Sequence, residues 1–353
     1  MRTVAVRPAG GGRQRVTTIK DVAARAGLSV MTVSRVLNGE RHVSAEAREK
    51  VQAAIEALGY RRNVFARGLP GSRSFLICLL IPELVPGYVA EFQQGAIQYC
   101  RAQGYHLVVQ PFDQRTDIAA DTVASAVAAL RPDGFLLLPP ITDDLTVLDV
   151  LDRSGTPYVR LAPGVQRERA SSVSMDDVEA VRQMTQALFE LGHENIGFIA
   201  GLAEHAASAW RYEGYRQAFE DRGRTIDARF VAQGNFEVDG GEEAAGVLLR
   251  APEPPTAIFA SNDETALGVM AAAHALGLSV PRDLSVVGFD DSEIARLAWP
   301  QLTTVRQPIQ AMAAAAAELV IAQAESAERR VEHRRLDFEL AFRDTTAPPR
   351  PMI

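Results

Sequence analysis

Apolar and polar positions follow one rhythm in the first sixty residues and another in the rest of the chain. Residues 17–59 read as three short helices. Ile19, Val22, Ala23 and Ala26 recur at the spacing of one helix face, and Thr18 pairs with Asp21 as a cap in front of them. Gly27-Leu28-Ser29 breaks that pattern, and Ser29 suits the start of a second helix over about 30–37, with Val33, Val36 and Leu37 inward. Asn38-Gly39 stops it. Ser44 caps a third helix carrying Val51, Ala54, Ile55 and Leu58, which Gly59 closes.

From Phe75 onward strand and helix alternate. Apolar runs at 75–81, 105–109, 134–138, 157–161, 196–200, 257–260, 284–289 and 302–305 read as strands, with helices at 177–191, 209–221, 263–276 and 309–324 among those between them. Repeated strand–helix units imply parallel sheets covered on both faces. About nine units exceed one comfortable sheet, so the region divides near residue 175 into two lobes. The alanine-rich run beginning at Met312 is a strong helix former. The fold class expected is α/β: an all-α helix-turn-helix domain plus a two-lobed core of parallel, doubly wound sheets. The boundaries expected are a disordered tail (1–15), the helix-turn-helix domain (16–62), a linker (63–72), the core (73–345) and a tail (346–353). Within the core, the N-lobe takes about 73–175 plus 306–333, and the C-lobe about 176–305 plus 334–345.

Charge sharpens this division. Residues 1–75 hold 14 Lys and Arg against 5 Asp and Glu, a balance of +9 in a chain of net −7, so the remainder carries −16. A basic head on an acidic body means that only the head seeks a polyanion. Hydrophobic residues make up 47% and charged residues 23%, a composition able to bury a substantial core. No apolar run reaches the roughly 18 residues of a membrane span. The first fifteen residues lack the apolar segment of a secretory signal. Cys78 and Cys100 give no disulfide framework and share no metal-ligand spacing with the six histidines. A cytoplasmic protein without membrane contact is expected, with no metal and no cofactor.

Two helices joined by a three-residue turn make a helix-turn-helix, whose second helix enters the DNA major groove. Ser29, Thr32 and Ser34 are placed to donate to phosphates, and Val30, Met31 and Arg35 to reach base edges. Arg35 is a bidentate guanine reader in this spacing; outside it, a surface salt bridge would serve equally well. Thr18, Asn38, His42, Tyr60 and Asn63 complete the expected contacts.

The stretch TTIKDVAARAGLSVMTVSRVLNGERHVSAEAREKVQAAIEALGYRRN resembles, almost residue for residue, the DNA-binding domain of the lactose-repressor/galactose-repressor (LacI/GalR) family. The resemblance runs through nearly the whole chain. Phe259-Ala260-Ser261-Asn262-Asp263 with Ala266-Leu267-Gly268 is similar to one family segment, Leu284 to Asp291 to its SVVGFDD strand end, and Leu302-Thr303-Thr304-Val305 with Gln307 to its LTTV.Q stretch.

That resemblance implies a hinge helix after Gly59-Tyr60 that orders on the operator. Asn63 to Leu69 align with it, making Leu69 a wedge in the minor groove and Ala66 its close-packing neighbour. Unstacking a base step costs a few kcal/mol. Arg62 replaces the family's usual proline, and Gly68 and Pro70 flank the wedge. Gly costs about 1 kcal/mol relative to Ala inside a helix, so a shorter, less stable hinge is expected. A wedge at the dyad needs two hinges, hence a homodimer on a pseudo-palindrome in double-stranded operator DNA. With no C-terminal apolar heptads, no tetramer is expected.

Two α/β lobes bind ligand at the carboxyl ends of their strands. Asn262 and Asp290 stand at such ends, and Gln307 follows another. Asp291 either caps a helix or faces ligand. Arg160, inside an apolar strand, must either face the cleft or join an interlobe salt bridge. Arg211 aligns with a family arginine that binds sugar hydroxyls. Phe236 either stacks on a sugar face or belongs to the core, His205 either faces ligand or is a loop histidine, and Tyr88, at the start of the first core helix, is a further candidate to face ligand. His193 reads as a helix-terminus residue. No dinucleotide loop, phosphate loop or nucleophile elbow is present, so the chain is not an enzyme. The function expected is a transcription regulator, a repressor, controlled allosterically by a small sugar in the interlobe cleft. A purine or nucleoside effector stays open, as does induction against corepression. A transport-associated binding protein shares the core but not the helix-turn-helix.

Overall fold

The computed structural model describes residues 17–37, 43–58, 73–82, 86–112, 119–326, 328 and 330–350. The chain divides into two compact units, residues 1–72 and 73–353.

In the first unit α1 (Ile19–Ala26), α2 (Val30–Leu37) and α3 (Ala45–Leu58) enclose a small core of Val22, Ala23, Val33, Val51 and Ala54. Local chemistry sets each helix start. The Asp21 carboxylate accepts from the Thr18 backbone N–H at 2.8 Å and from its hydroxyl at 2.7 Å. Ser29 Oγ accepts from the Thr32 N–H at 3.0 Å, and Ser44 Oγ from the Ala47 N–H at 3.3 Å. These bonds satisfy donors that the first helical turn leaves unpaired. Gly27 ends α1 with φ 67°, the left-handed conformation that lets the chain turn within three residues. The stops expected at Asn38-Gly39 and Gly59 lie outside the described residues.

The second unit opens with β1 (Leu76–Pro82), α4 (Pro86–Ala102), β2 (His106–Phe112), α5 (Ala119–Leu130), β3 (Gly134–Leu137), α6 (Leu145–Ser154), β4 (Tyr158–Leu161) and β5 (Ser172–Ser174), which build the N-lobe. The C-lobe follows with α7 (Asp177–Glu190), β6 (Ile196–Ala200), α8 (Ala206–Glu220), β7 (Val231–Gln233) and α9 (Val238–Leu249). It continues through β8 (Ala257–Ala260), α10 (Asp263–Ala275), β9 (Ser285–Asp290), α11 (Glu293–Leu297) and β10 (Thr303–Arg306). Then α12 (Ile309–Glu325) and β11 (His333–Arg335) return to the N-lobe, and β12 (Glu339–Ala341) to the C-lobe.

One sheet has the order β2-β1-β3-β4-β5-β11, the other β7-β6-β8-β9-β10-β12. All pairs are parallel except β10 with β12. In each sheet the first strand has its successors on both sides, which opens a crevice at the carboxyl ends. The chain passes between lobes at residues 174–177, 306–309 and 335–339.

The eight apolar runs all form strands. Four strands escaped that reading: β5, β7, β11 and β12 are three residues each and mostly polar or mixed, as in His333-Arg334-Arg335. Gly95 of α4 lies so near α12 that a Cβ would come 2.5 Å from the Gln310 carbonyl oxygen. Ala313, Ala316 and Ala317 are buried in the same cluster. The alanine run therefore lets two helices approach closely, beyond its high helix propensity.

Candidate nucleic-acid interface and effector cleft

The expected DNA-reading helix is α2. Val33 turns inward and is fully buried, while Val30 and Met31 are 42% and 65% exposed. Ser29 and Arg35 are exposed, and Thr32 and Ser34 half-buried. Large apolar side chains standing in water are a feature to explain, and contact with thymine methyl groups would explain these. Ser29 and Thr32 also bond each other, hydroxyl to hydroxyl, at 2.9 Å. Thr18 is exposed and engaged with Asp21. Asn38, His42, Tyr60, Asn63, Ala66 and Leu69, with the whole expected hinge segment, lie outside the described residues.

A cavity of about 110 Å³ opens between the lobes of the second unit. Tyr88, His205, Arg211, Phe236, Asn262, Asp290 and Gln307 all line it, so seven of the eight residues expected to meet an effector are brought together. Arg211, on α8, is its cationic centre. Its Nε donates to Asp177 Oδ1 at 3.0 Å, its Nη1 to the Ser261 carbonyl at 2.5 Å, and its Nη2 lies 3.8 Å from Asp290 Oδ1. The guanidinium also sits over the Phe289 ring, 3.7 Å from the centroid.

Asp290 ends β9 with φ 116°. Gln307 Nε2 donates to its Oδ1 at 2.5 Å. Burial pushes its carboxyl well above the usual range, Arg211 opposes that shift, and Asp263 and Glu264 reinforce it. Asn262 caps α10 by accepting the Thr265 N–H at 2.9 Å, and its amide donates to the Phe236 carbonyl and to Glu264, each at 2.9 Å. Phe236 takes φ 68°, and Gly201 gives its ring room, since a Cβ there would lie 2.0 Å from a ring carbon. His205 Nε2 is buried without a hydrogen-bond partner, and burial lowers the ring's affinity for a proton. An unpaired buried nitrogen on a cavity wall calls for an explanation, and a ligand bonded to it would give one. Burial, with the Asp290 and Asp177 carboxylates nearby, keeps the Tyr88 phenol protonated.

Arg160 is corrected. It does not line the cleft. Its side chain is fully buried beneath the loop after β4, with Nε donating to the Thr142 carbonyl at 2.8 Å and Nη1 to the Gln166 carbonyl at 2.7 Å. Its Nη2 donates to Asp143 at 2.8 Å and to the Val165 carbonyl at 2.7 Å. All these partners belong to the N-lobe, so it is not an interlobe bridge either. Asp291 is no helix cap: it accepts from Arg306 Nε at 2.6 Å and Arg343 Nη2 at 2.5 Å. His193 follows α7 but is 1% exposed, bonded to Thr256, Ser285 and the Ala347 carbonyl.

Sequence reasoning missed Asp177, the buried partner of Arg211. Two acids open α7, and Asp176 does the capping, accepting the Glu179 N–H at 3.1 Å, which leaves Asp177 to turn inward. Val89, Leu138, Pro139, Ala162, Ala207, Met175 and Met312 also line the cavity.

Residues 18–63 match the bacterial regulatory proteins of the lacI family, and residues 185–346 the periplasmic binding protein-like domain. The catabolite control protein A of Priestia megaterium is 34% identical over 304 residues, which cover 86% of this chain and 91% of that one. The chain belongs to the lacI family. It is a DNA-binding transcription regulator with an effector-binding core, and the family consists of regulators, not enzymes. Among solved members of the family, the lac repressor dimer bound to operator and an anti-inducer has a TM-score of 0.80 at 28% identity, covering 94% of this chain and 100% of that one. The CelR–cellobiose complex has a TM-score of 0.72 at 34% identity, covering 93% and 99%. No helix among the described residues is long and apolar enough to cross a membrane.

Proposed function

We propose that this lacI-family regulator is a homodimeric repressor that binds a pseudo-palindromic operator through α2 and residues 63–72, and that a sugar in the interlobe cleft releases it. The observation carrying this reading is the convergence of Arg211, Asp290, Asn262 and His205 on one interlobe cavity. Forked donors and acceptors of this kind suit vicinal hydroxyls. Phe236 supplies an aromatic wall for the apolar face of a sugar ring. The cellobiose bound by one similar regulator and the dimeric, operator-bound state of another support it. In this reading Tyr88 and Gln307 complete the effector contacts. Ser29, Val30, Met31, Thr32, Ser34 and Arg35 meet DNA with Thr18, Asn38, His42, Tyr60 and Asn63, and Leu69 and Ala66 act at the dyad. The protein works in the cytoplasm, on the nucleoid.

Ligand changes the angle between the lobes, and residues 63–72 transmit that change to the DNA-bound state. The coupling is reciprocal, so operator and effector alter each other's affinity by one factor. Fluorescence anisotropy on DNA from upstream of its own gene, at stated salt and against a panel of mono- and disaccharides, tests this. Release of a tight complex by one sugar is the expected result. A tight complex that every sugar leaves intact or strengthens overturns induction by sugar.

A further inference from the structure

The loop after β4 joins the two lobes beside the effector cavity. Residues 162–169 of the N-lobe reach across to the start of α8 on the C-lobe. A Cβ on Gly164 would come 2.5 Å from the Ala206 Cβ, so the loop backbone lies directly on that methyl group. Three residues further on, the Arg167 guanidinium stands over the Trp210 ring, 5.0 Å from its centroid. Ala206 follows His205 and Trp210 precedes Arg211, and His205 and Arg211 both face the cavity.

On its own side the loop is fixed. Arg160 donates to the Val165 and Gln166 carbonyls, and Asp143 accepts the Gly164 and Val165 N–H groups at 2.9 and 3.3 Å. Glu168 accepts from His333 Nε2 at 3.1 Å, and Arg169 Nε donates to Asp152 at 2.9 Å. Ala162 and Gln166 both take φ 43°, a conformation that persists only where the surroundings impose it. A loop held this way moves with the N-lobe as one body. Its hold on the C-lobe is of another kind. Arg167 is exposed, and with Trp210 it borders a cavity of about 420 Å³ that residues of both lobes line. No packed core backs the contact, so it can part without unfolding either lobe. Loop and α8 belong to different lobes, and rotation of one lobe on the other is felt where they touch.

Resting on the reading of the interlobe cleft as the effector site, we propose that loop 162–169 is an interlobe latch: Gly164 and Arg167 are positioning residues that act through Ala206 and Trp210 to hold α8 where His205 and Arg211 meet the effector. Latch and effector favour one lobe angle, so weakening the latch lowers effector affinity by the fraction of molecules that leave that angle.

The chain has two tryptophans, and Trp299 is 90% exposed, so Trp299→Phe leaves Trp210 as the reporter. In the full-length Trp299→Phe protein, acrylamide quenching of Trp210 is read beside calorimetric titration with glucose, galactose, mannose, ribose, cellobiose, maltose and lactose. Gly164→Ala is expected to raise the quenching constant about threefold and to weaken sugar binding about tenfold. Adding Ala206→Gly, on the other lobe, should restore both, which a folding defect in the loop would not allow. Arg167→Ala removes one contact without adding a clash and should weaken sugar binding about threefold. An unchanged quenching constant in Gly164→Ala, or a defect there that Ala206→Gly leaves whole, overturns the latch. Quenching that shifts while sugar affinity holds in both Gly164→Ala and Arg167→Ala overturns the positioning role. Asp290→Ala separates the two readings, because it removes a cleft contact and leaves the latch alone. Sugar affinity indifferent to Asp290→Ala, or a panel with no binder, strikes the sugar reading of the cleft, and the latch then stands or falls on quenching.

Discussion

Asp177 and Arg211 form a buried ion pair, Oδ1 to Nε 3.0 Å, that ties the helix immediately after one interlobe crossing to the cationic centre of the effector cleft. Removing one member of such a pair strands the other in low dielectric. Arg211→Ala is therefore expected to abolish the effector response and to lower stability by about 3 kcal/mol or more. Asp177→Asn retains an acceptor of the same shape and should fold, with effector affinity weakened about tenfold. Calorimetry beside a urea melt separates these effects. An Arg211→Ala protein with wild-type affinity would remove Arg211 from the binding set.

Arg160 makes the opposite case. Its guanidinium is spent entirely on two N-lobe loops, its acceptors being the Thr142 carbonyl and Asp143 after β3 and the Val165 and Gln166 carbonyls after β4. Arg160→Leu is expected to cost about 3–5 kcal/mol, because those acceptors stay buried without a donor. Urea denaturation measures this directly. A variant as stable as wild type would show that the loop finds other partners.

Base reading by α2 gives a different signature. Arg35→Ala should lose about 1–3 kcal/mol of discrimination between operator and scrambled DNA, while salt-dependent binding to any duplex persists. Competition titrations at two salt concentrations resolve the two components. Unchanged discrimination would assign the specificity to Val30, Met31 and the serine and threonine hydroxyls.

Buried His193 links stability to pH. Burial lowers its proton affinity below the usual value of 6.5. The unfolded chain then binds a proton more readily than the folded one, so the contribution of His193 is complete above that value. It drains away as pH falls below 6.5 toward the lowered folded value. His193→Gln is expected to flatten the loss of stability over that acidic window, as read from melts at stepped pH. Equal slopes in the two proteins would rule this out.

Much of the architecture was legible because its signals are local. The eight apolar runs and the caps at Thr18, Ser29 and Ser44 depend on residues a few positions apart. The short strands β5, β7, β11 and β12 were not, because their pairing is decided by neighbours far along the chain, as with His333 and Ser172. The same divide governs the cleft. Arg211, Asn262, Asp290 and Gln307 sit on motifs that could be aligned. Asp177 hid behind Asp176, and Arg160 showed a need for partners without showing where they lay. Leu138 showed only as the end of a strand run and Met312 as the start of a helix-forming run, since nothing in an apolar residue tells one side of a cleft from a packed interior.

The end of β9 carries one more consequence. Asp290 and Asp291 both have positive φ, 116° and 58°, and send their carboxylates to different tasks. One meets Arg211 and Gln307 in the cleft, and its neighbour holds Arg306 and Arg343 together. Asp tolerates such backbone better than branched or bulky residues do. Drift at this corner is thus confined to few residue types, because any change must keep both the turn and the arginine cluster. On the opposite wall Val89 and Met312 also pack in the N-lobe core, and Ala162 takes φ 43°. Descendants of this chain that acquire a new effector should therefore change the strand corner last.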